Sequence, residues 1–311
     1  NNRNRYFCGV SREELLLWIT APLYTIAIAA EIFIGIKSRR ELYSFSDTLM
    51  SVWFGIGGAA FDLLTKGFCF LILDWCNDHA IYKPDLLVYY PVLGWVIVFI
   101  GQDFCFYWLH RVEHQSRFFW AVHSNHHSSP HYNFAVALRS SVLQPLYRYA
   151  FYIPVAFLGF KGIDIMFMYA VNQVYQFWLH TETIPKLGWF EKIFVTPSHH
   201  RVHHASNIKY LDRNMGQVLI IWDKLFGTFQ EEQDEEKPVF GITKPLVTKN
   251  PIRAVFHEFI NIAKDLKKGK RFSEKLRYVF DAPGWSHDNS TKTSNQLRLE
   301  LKEEKNKTHD I

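Results

Sequence analysis

LLVYYPVLGWVIVFIGQDFCFYWLHRVEHQSRFFWAVHSNHH, residues 86–127, decides the fold. Residues 86–109 carry one charge, Asp103, and place Tyr89, Tyr90, Trp95, Tyr107 and Trp108 toward their two ends. That is the pattern of a membrane span with interfacial aromatic belts. The chain then turns at once to histidine, with His110 and His114 followed by His123, His126 and His127. On a helix an i,i+4 pair sets two imidazoles on one face, within reach of one metal ion. His110/His114, His123/His127 and, further on, His200/His204 share that spacing. With His126 and His203 added, more nitrogen donors are present than one tetrahedral or octahedral ion uses, so the spacing predicts a dinuclear site. His180, at the end of another apolar stretch, would be the ninth ligand.

Outward from this stretch, residues 15–36 hold only Glu31 as a charge, and residues 49–73 hold Asp62 and Lys66. Each is long enough to cross a hydrocarbon core of about 30 Å. Residues 142–160 and 163–180 are interrupted by Pro145, Pro154 and Asp164 and are expected to form a hairpin that dips into or crosses the membrane. The expected fold is all-α: a multi-span integral membrane protein with a cytosol-facing, histidine-rich di-metal catalytic unit. The expected organisation is a transmembrane region at 1–109, a histidine region at 110–285 that includes the hairpin 142–180, and a disordered polar tail at 286–311. A soluble helical protein is the rival that apolar runs alone leave open, and the aromatic belts argue against it. The polar stretch 1–11 followed by a long apolar run is no signal peptide, so the first span is expected to be an anchor. Lys37, Arg39 and Arg40 follow the first span, whereas Asp74, Asp78, Lys83 and Asp85 follow the second. Positive-inside logic therefore puts the histidines in the cytosol, although Arg3, Arg5 and Arg12 run against the rule.

The chain's net charge of +5 suggests an acidic partner, but its basic residues form no motif that reads nucleic acid. They gather at 264–277, beside Val255, Phe256, Phe259, Ile260 and Ala263, where the pattern predicts an amphipathic helix on an anionic membrane surface or else a solvated basic face. Cys8, Cys69, Cys76 and Cys105 show no C-x-x-C spacing and are expected to be buried thiols, with no disulfide framework and no thiolate metal site. The sequons at Asn289 and Asn306 would stay unmodified in a cytosolic tail. Carboxylates are scarce near the histidines, so an all-histidine site fits better than the carboxylate-rich di-iron bundles.

His110-Arg111-x2-His114, His123-x2-His126-His127-Ser128 and His200-Arg201-Val202-His203-His204 resemble the three histidine boxes of the membrane-bound fatty acid hydroxylase/sterol desaturase superfamily. Tyr132-Asn133, Ala137-Leu138-Arg139, Tyr175 to Glu182, Thr196 to His200 and Val218 to Phe229 extend the likeness toward its ether-lipid branch, the alkylglycerol monooxygenases. The resemblance covers roughly 45–285. It implies two iron ions held by His110, His114, His123, His126, His127, His180, His200, His203 and His204, dioxygen and a bilayer lipid as substrates, and tetrahydrobiopterin as electron donor. It also implies hydroxylation next to the ether oxygen, release of a fatty aldehyde, and residence in the endoplasmic reticulum membrane. His199, Gln176, Asp103 and Asn133 are candidates for orienting the ligands, with Arg139 fixing the loop after the second box. One departure is plain: Gln115 stands directly after His114 where the branch has Glu, and Glu113 precedes it. Two alternatives stay open, a sterol or fatty-acyl hydroxylase or desaturase fed by cytochrome b5, and a non-catalytic metal-binding or transport protein. The sequence shows no pterin pocket and sets no oligomeric state.

Overall fold

The computed structural model describes residues 11–83 and 85–309. Twelve α-helices follow one another among them: α1 Arg12–Ser38, α2 Phe45–Asp78, α3 Leu86–Tyr89, α4 Pro91–Gln115, α5 Arg117–His127, α6 Ile153–Phe157, α7 Gly162–Leu179, α8 Pro197–His203, α9 Ile221–Phe226, α10 Pro251–Asp265, α11 Phe272–Phe280 and α12 Ser294–His309. No strand forms among the described residues beyond two isolated antiparallel bridges, Phe194 with Leu219 and Ala205 with Phe240. The chain is all-α.

Three helices, α1, α2 and α4, are long and apolar enough to cross a membrane. Their 27, 34 and 25 residues reach about 37–51 Å at 1.5 Å per residue. Only 17% of the apolar window of α1 and of α2 is buried, so Trp18 and Phe33 on one and Leu63, Leu64 and Phe68 on the other face outward. Contiguous apolar surface of that extent suits lipid rather than water. The N-terminal end of α4 is exposed at Val92 and Leu93, while Val98, Cys105 and Leu109 carry its later turns into the core. There they meet Leu73 of α2, Ala156 of α6 and Ile165 of α7.

Local chemistry sets the helix ends. Ser11 caps α1 by accepting from the Glu14 amide, and the Glu14 carboxylate accepts from the Ser11 amide. Pro91 opens α4 and keeps Tyr90 out of the helical region, at φ −135° and ψ 66°. The apolar run 86–109 is therefore split into α3 and α4, and α4 continues to Gln115, carrying His110 and His114. On α2, Gly55 and Gly58 let the chain after α5 lie close: a Cβ at Gly55 would come within 2.8 Å of the Leu138 carbonyl oxygen. Glu31, buried inside α1, is held by the Tyr43 hydroxyl at 2.5 Å, the Phe134 amide at 2.8 Å and the Thr181 hydroxyl. One carboxylate thus ties the first span to the segments following the second box and His180.

Three expectations need correction. Residues 142–160 form no hairpin leg; they fold into 3-10 turns at 144–146 and 148–152 and the short α6. Pro145 and Pro154 interrupt the backbone ladder, and Arg148 is drawn inside, paired with Asp62 and lying over the Tyr149 and Tyr169 rings at 4.8 and 4.4 Å. The tail expected to be disordered contains α12, held where Arg298 donates to the Leu211 carbonyl. The basic run 264–277 is not one helix: α10 stops at Asp265, Gly269 lies between, and α11 starts at Phe272. Cys69, Cys76 and Cys105 are buried free thiols, and Cys8 lies outside the described residues.

Replacing Glu31 by alanine removes the acceptor shared by the Tyr43 hydroxyl, the Phe134 amide and the Thr181 hydroxyl and is expected to destabilise the protein by about 3 kcal/mol. Thermal unfolding in detergent should show a lowered midpoint for Glu31→Ala and a smaller drop for Glu31→Gln.

Candidate metal centre

Five elements converge to build the site. Late α4 carries His110 and His114, and the one-residue joint at Ser116 turns the chain into α5, which carries His123, His126 and His127. His180 follows the last turn of α7. Thr196 caps α8, with Pro197 at its first position, and that short helix presents His200, His203 and, at its end, His204. The fifth element is the loop 211–217, which supplies no imidazole but holds three of them.

All nine histidines come together, in two groups. His110, His114, His123, His127 and His203 form one, and His126, His180, His200 and His204 the other; within each, one possible ligand atom per residue lies within 4.8 Å of the rest. The i,i+4 pairs of α4 and α5 fall in the first group and that of α8 in the second, while His126 and His203 cross over. The groups touch, with the His127 and His204 rings stacked at 4.3 Å.

Hydrogen bonds fix the tautomers. The Nδ1 atoms of His110, His126, His180 and His203 donate to the carbonyls of Met215, Arg139, Gln176 and Arg213, each at 2.9 Å. A carbonyl only accepts, so in each the proton sits on Nδ1 and Nε2 offers a lone pair. His126 and His180 then face each other Nε2 to Nε2 at 3.4 Å, and His180 faces His200 at 3.1 Å. In the first group His123 Nε2 lies 3.1 Å from Nε2 of both His110 and His127. The buried Nε2 atoms of His114, His203 and His204 have no hydrogen-bond partner. Convergent lone pairs repel unless a cation sits among them, so this donor set fits bound metal. Burial holds His123, His127, His200, His203 and His204 well below the usual imidazole range, and His126 down to about 4. Neutral imidazoles at pH 7 are the form a metal ion takes up.

Side chains hold two further rings. Asp212 Oδ1 lies 3.2 Å from His114 Nδ1. Burial alone would raise the Asp212 carboxyl, but the His114 contact, with Ser294 and Arg298 nearby, brings it below the usual carboxylate range. His123 Nδ1 is hydrogen-bonded to the Ser141 hydroxyl at 3.2 Å; Glu113 Oε2 lies 3.3 Å away without a hydrogen bond, while its other oxygen accepts from the Tyr147 hydroxyl at 2.6 Å and Gln144 at 2.8 Å. In the loop 211–217, Asp212 and Asn214 both adopt positive φ, 52° and 56°. Asn214 is pinned to the carbonyls of His199 and Gln230, and Asp223 accepts from the Met215 and Gly216 amides. Strain of this kind persists only where surroundings over-determine it, and here it aims two carbonyls and one carboxylate at three imidazoles.

The other candidates fall into two sets. The Gln176 carbonyl holds His180, and Arg139 bonds the Asn125 carbonyl, Ser128 and Asp47 while its own carbonyl holds His126. Asp103 is one step removed: it accepts from the Val218 and Leu219 amides and the Trp222 indole, anchoring the segment after the strained loop. His199 belongs to neither group and packs against Phe229. Asn133 bonds the Leu42 carbonyl and the Ala135 amide, far from any imidazole in the bonding network. Asp212 was not foreseen, and no spacing in the sequence marks it. A cavity of about 720 Å³ opens onto His114, His127, His203 and His204, with Trp120 and Trp285 among its walls.

The fatty acid hydroxylase family model matches residues 95–228, the stretch holding all nine imidazoles. The chain is 44% identical over 194 residues to alkylglycerol monooxygenase of Homo sapiens, covering 61% of this chain and 42% of that protein. It is 36% identical to the enzyme of the same name from Xenopus tropicalis over 267 residues, and 34% to that of Danio rerio over 271; these cover 84% and 85% of this chain and 58% of each relative. The chain thus spans about half the length of the curated relatives it matches. No solved structure matches it significantly.

Two outcomes test the grouping. His180→Ala leaves three imidazoles in its group and should lower bound metal, by elemental analysis of the purified chain, more than His110→Ala, which leaves four. Asp212→Asn should weaken metal binding about 10- to 100-fold, the usual cost of losing a ligand's orienting partner, with helix content unchanged by circular dichroism.

Proposed function

We propose, from the match of residues 95–228 to the fatty acid hydroxylase family model, that this chain carries the catalytic centre of a membrane monooxygenase that opens the O-alkyl bond of ether lipids. The observation that carries the reading is the convergence of nine imidazoles into two adjacent groups with their lone pairs facing inward. The relatives named alkylglycerol monooxygenase support the substrate class. His110, His114, His123, His127 and His203 would hold one iron ion, and His126, His180, His200 and His204 the other. Bound there, iron supplies dioxygen chemistry strong enough to hydroxylate an unactivated C–H bond.

The balance of the reaction is one dioxygen, two electrons and two protons for one hydroxyl group and one water. Hydroxylation falls on the alkyl carbon beside the ether oxygen, and the hemiacetal so formed breaks its C–O bond to give a fatty aldehyde and a glycerol derivative. Tetrahydrobiopterin would supply the two electrons, and the cavity against His114 and His203 is the route by which a soluble reductant would approach. This chain's residues keep the site rigid. Ser141 and Asp212 fix ring orientation, and the Tyr132 ring, 5.2 Å from His204 and stacked on Phe240 at 4.7 Å, covers one side of the second group.

The enzyme would reside in the endoplasmic reticulum membrane with its imidazoles on the cytosolic side. One contact supports that orientation. The basic loop after α1 meets the segment after His180, through Arg40 and Glu182 at 2.9 Å. That end therefore carries both the positive charge and the metal site.

The test is aldehyde release from an alkylglycerol by membranes containing the chain, with and without tetrahydrobiopterin, and with His203→Ala as control. Pterin-dependent release that disappears in the variant is expected. Iron bound at two per chain without aldehyde release, and turnover instead of a sterol or acyl lipid with cytochrome b5, would overturn the ether-lipid reading.

A further inference from the structure

α10 and α11 carry matching apolar stripes that no other part of the described chain covers. On α10 the stripe is Ile252, Phe256 and Ile260; on α11 it is Phe272, Leu276 and Phe280. Both repeat at i, i+4, i+8, the spacing that lines residues along one helix face, and all six side chains are 41–75% exposed. The opposite face of α10 is buried at Ala254, Val255 and Ile262. An aromatic chain joins the two helices through α5: Phe256 to Phe259 at 6.2 Å, Phe259 to Phe118 at 6.0 Å, and Phe118 to Phe280 at 6.1 Å. The stripes thus belong to one patch on the histidine-bearing side of the bundle.

Charge and position identify what meets this patch. Residues 251–281 contain eight basic and four acidic side chains, and Lys264, Lys267, Lys268, Lys270 and Arg271 crowd the turn between the helices. Among the acidic groups, Glu258 and Asp265 are engaged by Arg117, and Asp281 by Arg277. Ala254 and Val255 pack on Phe54, with Met50 and Phe61 beside it, in the half of α2 that follows the loop 39–44. α10 therefore lies against a spanning helix near the end where that helix leaves the bilayer. Apolar stripes, a basic turn and continuity with a span together match the boundary between acyl chains and anionic headgroups.

We propose that α10 and α11 form an interfacial platform whose apolar stripes enter the headgroup layer of an anionic membrane and whose lysines bind its phosphates. The proposal rests on α2 spanning the bilayer. The platform also holds the metal centre at a fixed height, because Arg117, at the start of α5, is clamped by Glu258 at 2.7 Å and Asp265 at 2.8 Å. α5 then carries three of the nine imidazoles. The platform would thus set how far a lipid must rise from the bilayer to reach the site.

The test uses the full chain in a Cys8→Ser background, with an environment-sensitive fluorophore on Phe256→Cys, Leu276→Cys, Leu64→Cys in α2, or Glu303→Cys in α12. The chain is placed in phosphatidylcholine vesicles with or without phosphatidylserine, doped with lipids bearing a nitroxide near the headgroup or near the chain end. Labels at 256 and 276 should be quenched most by the headgroup-proximal nitroxide and shielded from iodide, the label at 64 by the deep nitroxide, and the label at 303 by iodide alone. Phosphatidylserine should deepen the quenching at 276, and Lys267→Gln/Lys270→Gln/Lys275→Gln should remove that increment. Labels at 256 and 276 open to iodide, with 64 quenched by the deep nitroxide, would overturn the platform while leaving the span. The same result would follow if those labels were shielded from both iodide and nitroxides, since a protein partner or a second copy would then cover the patch. A label at 64 open to iodide would remove the span and the platform together. Quenching indifferent to phosphatidylserine and to the lysine changes would overturn the phosphate contacts.

Discussion

Nine imidazoles crowded into one part of the interior with their lone pairs facing one another impose the constraint from which the rest of this structure follows. Each ring is costly to bury without partners, and the arrangement is tolerable only if its outer nitrogen is fixed and its inner nitrogen finds a cation. The surroundings answer the first need for six of the rings. Carbonyls of Met215, Arg139, Gln176 and Arg213 each accept from one Nδ1, and Asp212 and Ser141 bond two more rings. The helical scaffold is arranged to bring those partners to one place from separate stretches of chain.

Those acceptors explain features that otherwise look incidental. Residues 142–152 are drawn inward because Gln144 and Tyr147 complete the shell of Glu113. Arg139 bridges the end of α5 to Asp47 at the start of α2, so the second box is braced against a spanning helix. Arg201, two-pronged on Glu232, also bonds the Thr181 and Ile184 carbonyls and joins α8 to the chain just past His180. Buried networks of this kind stabilise when every member is satisfied and fail badly when one is missing.

Much of this was legible in the sequence, for identifiable reasons. Helical periodicity reports which imidazoles share a face, so the paired histidines of α4, α5 and α8 stood out, and uninterrupted apolar length marked α1, α2 and α4. The partition into groups did not, because His126 and His203 cross between them by tertiary geometry rather than spacing. Glu31 and Asp212 were opaque because their partners lie 103 and 98 positions away. α12 has a polar composition that reads as a disordered tail; its hold on the Leu211 carbonyl is a contact no local pattern encodes. Arg148 was hidden in an apolar stretch because its compensating charge, Asp62, comes from a different helix.

The loop 211–217 has a consequence for how this chain can vary. Its two left-handed residues deliver acceptors to His110, His114 and His203, which sit on two different helices. Each acceptor occupies a set step along the backbone, so inserting or deleting one residue would misalign all three at once. Substitutions can accumulate in this connection, but its length cannot drift.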